Sequence, residues 1–212
     1  MKKVAVIDYG AGNQKNIFRA IKAINCQPVL ASKKSDLDGI RYIIVPGMGS
    51  FSVAVRHMKK TGLFEALIEA ANNNIKILGI CLGLQLFFEH GDEGGKNNGL
   101  GILKGKILPL ENFCDFADDY KIPVMGWYKI GWIIPKEETE FSKIINKVSD
   151  KHMYFAHSFG VQPENKNIEL STLDYYDAKI VAAIKKDNIF GTQFHPEKSG
   201  EPGLEILKAF VS

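Results

Sequence analysis

A cysteine between two glycines is the feature of this sequence best suited to chemistry. Cys81 lies in residues 79–83, Gly-Ile-Cys-Leu-Gly, just after the apolar run 75–78. We interpret that run as a buried strand and residues 84–88 as a helix. The chain must turn sharply at such a junction, so the residues two positions before and after the cysteine need to lack a Cβ. The pattern predicts a nucleophile elbow with cysteine in place of serine.

The chemistry that this corner favours is attack by a thiolate. A helix beginning at Leu82 would point its unpaired N–H groups and the positive end of its dipole at the sulfur, which favours the thiolate form. The amide of Leu82 would then donate to an oxyanion formed beside Cys81. A buried structural cysteine packed between glycines is the alternative. The two glycines and the strand-to-helix junction favour the elbow.

A thiolate nucleophile needs a proton-transferring partner, and His195 is the histidine best placed to be one. It follows the strand-like residues 190–194 and precedes Pro196 and Glu197. Pro196 favours an extended conformation for His195, so the imidazole and the Glu197 carboxylate can project to the same side. The carboxylate would fix the imidazole tautomer and support its protonated form. A solvated turn is the alternative. Because the cysteine corner and the His195-Glu197 pair occur in the same chain, we favour a Cys81-His195-Glu197 triad.

An alternation of strands and helices predicts where these residues meet. Apolar runs predict strands at residues 4–7, 27–31, 42–45 and 75–78, with helices at 17–25 and 63–71. This order indicates an α/β fold with a mostly parallel sheet. The turn Gly47-Met48-Gly49 leaves the third strand at the edge where such sheets bind ligands, so its N–H groups are expected beside Cys81 as oxyanion donors. A turn without a binding role is the alternative.

The second half of the sequence changes character. Residues 89–98 are polar and rich in glycine, and strand-like segments follow at 102–108, 127–134, 153–156, 180–184 and 189–194. We expect an antiparallel or mixed extension of the same sheet, closed by a helix at 203–210, within one domain covering residues 1–212. Residues 110–121, which include Cys114 and three aspartates, indicate an exposed insertion.

The composition excludes several classes of protein. The chain has 212 residues, 45% apolar content and a net charge of +3, with its lysines in scattered doublets, so nucleic acid is not an expected partner. No membrane-length apolar run or signal peptide is present, which predicts a cytoplasmic protein. Cys26, Cys81 and Cys114 lack any CxxC spacing, so neither a disulfide framework nor a metal site is expected. The glycines of residues 8–13 lack the third glycine of a dinucleotide site, so no cofactor is expected.

The two motifs together resemble those of class I, triad-type glutamine amidotransferases. The resemblance rests on residues 79–85, GICLGLQ, and residues 193–197, QFHPE, and extends nearly end to end. Within that class, residues 8–13, 46–51, 125–127, 157–158 and 196–200 resemble the glutaminase subunit of imidazole glycerol phosphate synthase. Pyridoxal phosphate synthase, purine and pyrimidine enzymes would show a double glycine at 46–49. The resemblance implies a flavodoxin-like α/β fold with helices on both faces of the sheet.

The resemblance also implies a reaction. Cys81 would attack the side-chain amide of L-glutamine to form a thioester, His195 would transfer the protons and Glu197 would hold the imidazole. Glutamate and ammonia would be the products. Gln85, one helical turn after Cys81 and on the same face, is expected to contact the substrate, as are His157 and Ser158.

A partner follows from the same resemblance. Only residues 198–212 follow the triad, so we expect a separate (β/α)8 cyclase that forms a heterodimer with this chain and receives its ammonia for imidazole glycerol phosphate formation in histidine biosynthesis. Asn13, Trp127, Tyr154 and Lys198 are expected at the contact. For the two aromatic residues a position in the core is an equal alternative.

Two residues depart from the family pattern. The family usually has His before the Met-Gly-Trp sequence and Asn after it, whereas this chain has Val124 and Tyr128. We expect both positions, and the insertion at 110–121, to face the synthase. A related glutaminase that feeds a cyclase-like partner in surface-sugar amidation is therefore the alternative. A non-catalytic regulatory subunit and a cysteine peptidase or hydrolase are further alternatives, and the intact triad argues against the former.

Overall fold

The computed structural model describes residues 1–10, 14–91, 97–113, 121–133 and 140–212. Asn13 and Cys114 lie outside these residues. The described strands, in chain order, are β1 (Lys3–Ile7), β2 (Gln27–Ala31), β3 (Tyr42–Val45), β4 (Lys76–Ile80), β5 (Phe88–Gly91), β6 (Asn97–Asn98), β7 (Leu103–Pro109), β8 (Val124–Lys129), β9 (Gly131–Trp132), β10 (His152–His157), β11 (Phe159–Pro163), β12 (Glu169–Tyr175), β13 (Ala178–Lys186) and β14 (Ile189–Thr192).

The helices lie between and after these strands. Among the described residues they are α1 (Gln14–Ala23), α2 (Phe51–Thr61), α3 (Leu63–Asn72), α4 (Leu82–Gln85), α5 (Glu140–Val148) and α6 (Gly200–Val211), with short 3-10 turns at Lys34–Leu37, Leu110–Asn112, Lys166–Ile168 and Pro196–Lys198. Within the described ranges, none of the helices has the length and apolar character that crossing a bilayer requires.

The main sheet confirms the predicted fold class. Its strand order is β2-β1-β3-β4-β14-β13-β12-β9. Strands β2 to β14 in this order are parallel, and β13, β12 and β9 continue the sheet in antiparallel fashion. Two smaller sheets, β10-β8 and β11-β7-β5-β6, stand apart from it. The predicted antiparallel extension therefore exists, but part of the second half forms these separate sheets.

The parallel strands bury side chains on both faces of the sheet. Alternation along β1 sends Val4 and Val6 into one cluster and Ala5 and Ile7 into another. The first cluster includes side chains of α1 and α6, and the second includes side chains of α2 and α3. Helices thus cover both faces, as the continuous apolar runs of these strands require.

The predicted helix at residues 84–88 is wrong in its extent. Helix α4 ends at Gln85, and Phe88 begins β5, where it pairs with Leu103 of β7. Phe87 and Phe88 are both fully buried. A short, continuous apolar run fits a buried strand as well as a buried helix, so its pattern did not distinguish them.

The predicted strand at residues 127–134 and the predicted insertion at 110–121 also need correction. The strand is interrupted at buried Ile130, because β8 pairs with β10 whereas β9 pairs with β12. At the start of the insertion, Leu110 is fully buried and packs in the core, so the segment is not exposed throughout. Residues 114–120 lie outside the described residues.

Candidate active site

Neighbouring parallel strands bring the predicted site residues to one edge of the sheet. Strand β4 lies between β3 and β14, and all three run in the same direction. Cys81 follows β4, the turn at 46–49 follows β3, and His195 follows β14. Because the carboxyl ends of parallel strands share an edge, residues far apart in sequence meet there.

The backbone at Cys81 has the conformation of a nucleophile elbow. Its φ of 51° and ψ of −106° are unusual for a residue other than glycine. The Cys81 N–H donates to the carbonyl oxygen of Thr192 at 2.6 Å, and its own carbonyl accepts from the N–H of Gln85 at 3.2 Å. Strained backbone of this kind persists only where the surroundings hold it, and it clusters at catalytic residues.

Three glycines allow the chain to pack tightly around this corner. A Cβ on Gly79 would lie 2.6 Å from the carbonyl oxygen of Gly83, and one on Gly83 would overlap the backbone of Val45. A Cβ on Gly47 would overlap the Ile80 carbonyl and lie 2.6 Å from the Cys81 Cβ. The glycines predicted from the elbow pattern are therefore required by backbone contacts, and the 46–49 turn lies directly against Cys81.

His195 and Glu197 form a buried pair. The imidazole Nδ1 and the carboxylate Oε1 are 2.8 Å apart, and each side chain is 4% exposed. The His195 backbone is held in place, since its N–H donates to the Tyr154 carbonyl and its own carbonyl accepts from the Ser199 hydroxyl. The Ser199 hydroxyl also accepts a hydrogen bond from the N–H of Tyr154 at 3.0 Å, so His195, Tyr154 and Ser199 are joined in a ring of hydrogen bonds.

The surroundings of His195 favour its protonated form. Burial alone would lower the pKa of His195, but hydrogen bonding and charge interactions with Cys81 and Glu197 outweigh burial and raise the pKa to about 9. The imidazole is then protonated near neutral pH. Because Nδ1 is bonded to Glu197, Nε2 is the ring nitrogen that remains for Cys81. This arrangement can deliver a proton to a leaving group beside the sulfur.

Tyr9, at the end of β1, holds the turn that was predicted to supply oxyanion donors. Its hydroxyl donates to the Pro46 carbonyl at 2.5 Å and accepts the Met48 N–H at 3.2 Å. Burial raises the pKa of Tyr9, so the phenol stays protonated. Leu82 begins α4 directly after Cys81, whereas the Met48 amide is engaged by Tyr9 in this arrangement.

A pocket of about 390 Å³ opens over the cysteine and brings together the predicted substrate-contacting residues. Its walls come from the turn after β3, from α4, from β8 and β10, and from the loop after β14. The lining residues are Gly47, Met48, Gly49, Cys81, Leu82, Gln85, Pro123, Met125, Ala156, His157, Ser158, Phe159, His195 and Lys198. The pocket thus places the thiol among polar side chains and backbone groups, as a small polar substrate requires.

Gln85 and His157 share one acceptor in this pocket. Gln85 Nε2 donates to the Phe159 carbonyl at 3.0 Å, and His157 Nδ1 lies 2.9 Å from the same oxygen, which assigns the proton to Nδ1. Burial lowers the pKa of His157 to about 4, so this imidazole is neutral. The two side chains therefore position the backbone at Phe159, which lines the pocket beside Ser158.

One residue at the sulfur was not among the predicted site residues. Gln193 is fully buried, and its Nε2 lies 3.6 Å from Cys81 Sγ. Its Oε1 accepts from Gln85 Nε2 at 3.4 Å. The sequence contained a signal for it, because side chains two positions apart in extended backbone lie on the same side, and Gln193 precedes His195 by two.

Three of the residues predicted to face a partner lie together beside the pocket, and Lys198 lines it. Trp127 is 53% exposed, which excludes the alternative that it belongs to the core. Its ring meets Tyr154 edge to face at 5.8 Å, and Lys198 Nζ lies 5.5 Å from the centre of the Tyr154 ring. Tyr154 in turn lies 6.4 Å from the His195 ring. Ring contacts therefore lead from exposed Trp127 through Tyr154 to His195.

Val124 and Tyr128 do not lie where they were expected. Val124 is fully buried in the core. Tyr128 is half-buried, with its ring edge to face against Phe155 at 6.0 Å and against Tyr175 at 5.7 Å. Strand alternation explains the result, since both residues point to the opposite face of β8 from Met125 and Trp127. The substitutions of Val124 and Tyr128 for the residues usual in the family therefore alter the core and not an exposed partner surface.

The remaining cysteine of the described residues has no part in this site. Cys26 is buried in the cluster under α1 and α6. No group of three or more His, Cys, Asp or Glu side chains in the described part of the chain is arranged to hold a metal ion. Cys81 is therefore the described cysteine that combines a pocket with acid–base partners.

Comparison with known proteins places this geometry in a family. The glutamine amidotransferase class-I family matches residues 5–212. The imidazole glycerol phosphate synthase subunit HisH of Geobacillus thermodenitrificans is 36% identical, over all of this chain and 96% of its own length. The subunit HisH 1 of Campylobacter jejuni (strain RM1221) is 41% identical over 98% of both chains.

A solved structure shares the fold at low sequence identity. The structure of PurLQS from Thermotoga maritima superposes with a TM-score of 0.72 at 20% identity, covering 99% of this chain and 97% of that chain. At this identity the superposition shows a shared fold only, whereas the sequence matches over nearly the full length show the family. The chain belongs to the class I glutamine amidotransferases and, within them, to the family of the HisH subunits of imidazole glycerol phosphate synthase.

Proposed function

We propose that this protein is a glutaminase subunit that hydrolyses L-glutamine to glutamate and ammonia through a thioester on Cys81. The proposal includes delivery of the ammonia to a synthase partner that forms imidazole glycerol phosphate in histidine biosynthesis. The observation that carries it is the meeting of Cys81 with the buried His195-Glu197 pair in one pocket. The full-length similarity to HisH subunits supports the choice of pathway.

The first half of the reaction releases ammonia. Cys81 Sγ attacks the amide carbon of glutamine, which forms a C–S bond and places a negative charge on the carbonyl oxygen. The N–H of Leu82 and those of the Gly47–Gly49 turn are the proposed donors to this oxyanion. The C–N bond then breaks as the protonated His195 gives its proton to the leaving nitrogen, and Glu197 holds the ring throughout.

The second half regenerates the thiolate. His195, now neutral, takes a proton from water as the water oxygen attacks the thioester carbon. The C–S bond breaks, the electron pair returns to Cys81 and glutamate leaves. His195 is again protonated, which is the form that its raised pKa favours in the resting site. Gln85 and the backbone at His157 and Ser158 are proposed to hold the substrate during both steps.

The partner is proposed to be a (β/α)8 cyclase that forms a heterodimer by covering the pocket mouth. Ammonia released into neutral water is protonated and loses its nucleophilicity, so it must pass directly to the enzyme that uses it. Met125 and Trp127 are 60% and 53% exposed on one face of β8 beside the pocket. An exposed aromatic residue flanked by apolar and cationic neighbours is typical of an interface anchor. Lys198, held over Tyr154, joins this surface to the triad loop.

Labelling with a glutamine-analogue diazo-ketone tests the glutaminase. We expect Cys81 to be labelled before Cys26 or Cys114, with glutamine protecting it. Acid quenching during turnover of [14C]glutamine should trap a thioester on the wild-type chain and none on Cys81→Ser. Preferential labelling of Cys114, or hydrolysis of peptide amides but not glutamine, would refute the assignment.

Mixing with the histidine-pathway cyclase and its substrate or an analogue tests the partner. We expect a complex and an increase in glutaminase activity. Lys198→Ala should reduce the increase more than it changes the KM for glutamine. Lys76→Ala is a matched control, because Lys76 also lies over a tyrosine ring, at 5.7 Å from Tyr42, but at the opposite end of β4 from Cys81. Absence of both complex and activation would indicate another synthase, such as one for surface-sugar amidation.

A further inference from the structure

A fully buried glutamine contacts the sulfur of Cys81. Gln193 is 0% exposed, and its Nε2 lies 3.6 Å from Cys81 Sγ. Its backbone N–H donates separately to the Ala182 carbonyl at 2.8 Å, so its place in the sheet does not depend on the side chain. The side-chain amide is therefore free to serve the thiol.

The neighbouring hydrogen bonds fix which end of the amide faces the sulfur. The Phe159 carbonyl can only accept, so the Gln85 amide must present its Nε2 there, at 3.0 Å. The second hydrogen of that nitrogen meets Gln193 at 3.4 Å, where only Oε1 can accept it. The remaining end of the Gln193 amide is Nε2, and it faces Cys81 as a donor.

We propose that Gln193 is a catalytic residue of the glutaminase reaction, a role that rests on the proposed function. Its N–H donates to the Cys81 thiolate before attack and again when the C–S bond of the thioester breaks and the electron pair returns to sulfur. A hydrogen bond to a charged acceptor is stronger than one to a neutral acceptor, so this donor favours the thiolate at both moments. Through Oε1, Gln193 also joins the nucleophile to Gln85, the proposed substrate contact.

Alkylation of Cys81 by iodoacetamide without glutamine tests this role independently of turnover. The rate would be followed by mass spectrometry of the Cys81 peptide between pH 5 and 10. For Gln193→Met, which keeps the length of the side chain but lacks the donor, we expect the midpoint of the profile to move up by about one pH unit. We also expect kcat to fall about tenfold. Gln162→Met, at an exposed position of β11, should match the wild type.

The other titratable groups around the sulfur stay the same in these variants. They are Tyr9 after β1, His157 of β10, and His195, Glu197 and Lys198 of the loop after β14. A shift between wild type and Gln193→Met is thus assigned to the amide.

A second variant covers the case in which Gln193→Met does not fold. Gln193→Glu keeps the shape and replaces the donor by a carboxylate, so its midpoint should move up at least as far. Wild-type midpoints in both Gln193 variants would overturn the proposal. If the wild-type chain failed to hydrolyse glutamine while the alkylation shift was present, the proposed function would fail and the contact of Gln193 with the thiolate would stand.

Discussion

The hydroxyl of Tyr9 accepts a hydrogen bond from the N–H of Met48 at 3.2 Å. The same hydroxyl donates to the Pro46 carbonyl at 2.5 Å, so one buried phenol holds two groups of the turn beside Cys81. Met48 lies between the two glycines of that turn and lines the pocket. The Met48 amide, which we propose as an oxyanion donor, is therefore occupied by the hydroxyl of Tyr9, a residue that follows β1.

Tyr9→Phe should release this amide. We expect kcat for glutamine hydrolysis without a partner to rise about tenfold, which is less than the factor of about 10²–10³ that a complete oxyanion donor supplies. Stability should fall by about 2 kcal/mol because both hydrogen bonds of the hydroxyl are lost. Tyr42→Phe, at the opposite end of β3, is the control. A lower kcat in Tyr9→Phe would mean that the present turn is already the productive one.

His195→Ala and Glu197→Gln should differ in severity. The imidazole itself transfers the protons, so its removal should lower kcat by about 10⁴, to the background of the assay. The carboxylate orients the ring and supports its charge without transferring a proton to the substrate, so Glu197→Gln should retain some activity where His195→Ala retains none. Exposed His152→Ala and Glu164→Gln serve as controls for steady-state kinetics. Equal and complete loss in both triad variants, with folding intact, would assign Glu197 a more direct role.

The meeting of Cys81, His195 and Glu197 at one edge of the sheet could be predicted because each of these residues carries a local signal. The elbow needs Gly79 and Gly83 for backbone contact, and His195 and Glu197 flank a proline that orients them. Strand direction then brings the two motifs together, since β4 and β14 are parallel neighbours. Short-range chemistry and the parallel-sheet rule were sufficient for this part of the site.

The parts that were missed depend on contacts between distant segments. The hydrogen bond between Tyr9 and Met48 joins the segments that follow two different strands, and no spacing in the sequence predicts it. The contact of Gln193 with Cys81 also joins distant segments, and the position of Gln193 two residues before His195 is a signal that the prediction did not use. The face of β8 that carries Val124 was misassigned because the core cluster that packs against this face, and not the family pattern, decides which side is buried. Tertiary packing also ended α4 early and made Phe88 part of a strand.

Gly47→Ala should damage the site although it adds only one methyl group. That group would overlap the Ile80 carbonyl and lie 2.6 Å from the Cys81 Cβ, so the turn or the elbow must move. A displacement of about 1 Å in a catalytic arrangement costs about 10²-fold in rate, and overpacking costs about 1–3 kcal/mol of stability. In Gly131→Ala the new methyl would lie 3.7 Å from its nearest neighbours, and we expect wild-type kinetics. Unchanged kcat in Gly47→Ala would show that the turn can move without consequence.

His157 should make the folded state sensitive to acid. Burial lowers the pKa of His157 to about 4 from an ordinary value near 6.5. As the pH falls, His157 therefore becomes protonated near pH 6.5 in the unfolded chain and near pH 4 in the folded chain. The stabilisation is complete above pH 6.5 and is lost between 6.5 and 4, because the unfolded state then binds more protons. At pH 5 this residue alone should lower the free energy of unfolding by about 2 kcal/mol relative to pH 7.

Urea denaturation of the wild type and of His157→Asn at pH 7, 6 and 5 measures this contribution. Asparagine can still donate to the Phe159 carbonyl but does not titrate, so the variant should lose less stability than the wild type as the pH falls. Other groups titrate equally in both proteins and cancel in the comparison. His152→Asn, at an exposed position of the same strand, should follow the wild-type curve. Parallel curves for wild type and His157→Asn would show that His157 is protonated as readily in the folded chain as in the unfolded one.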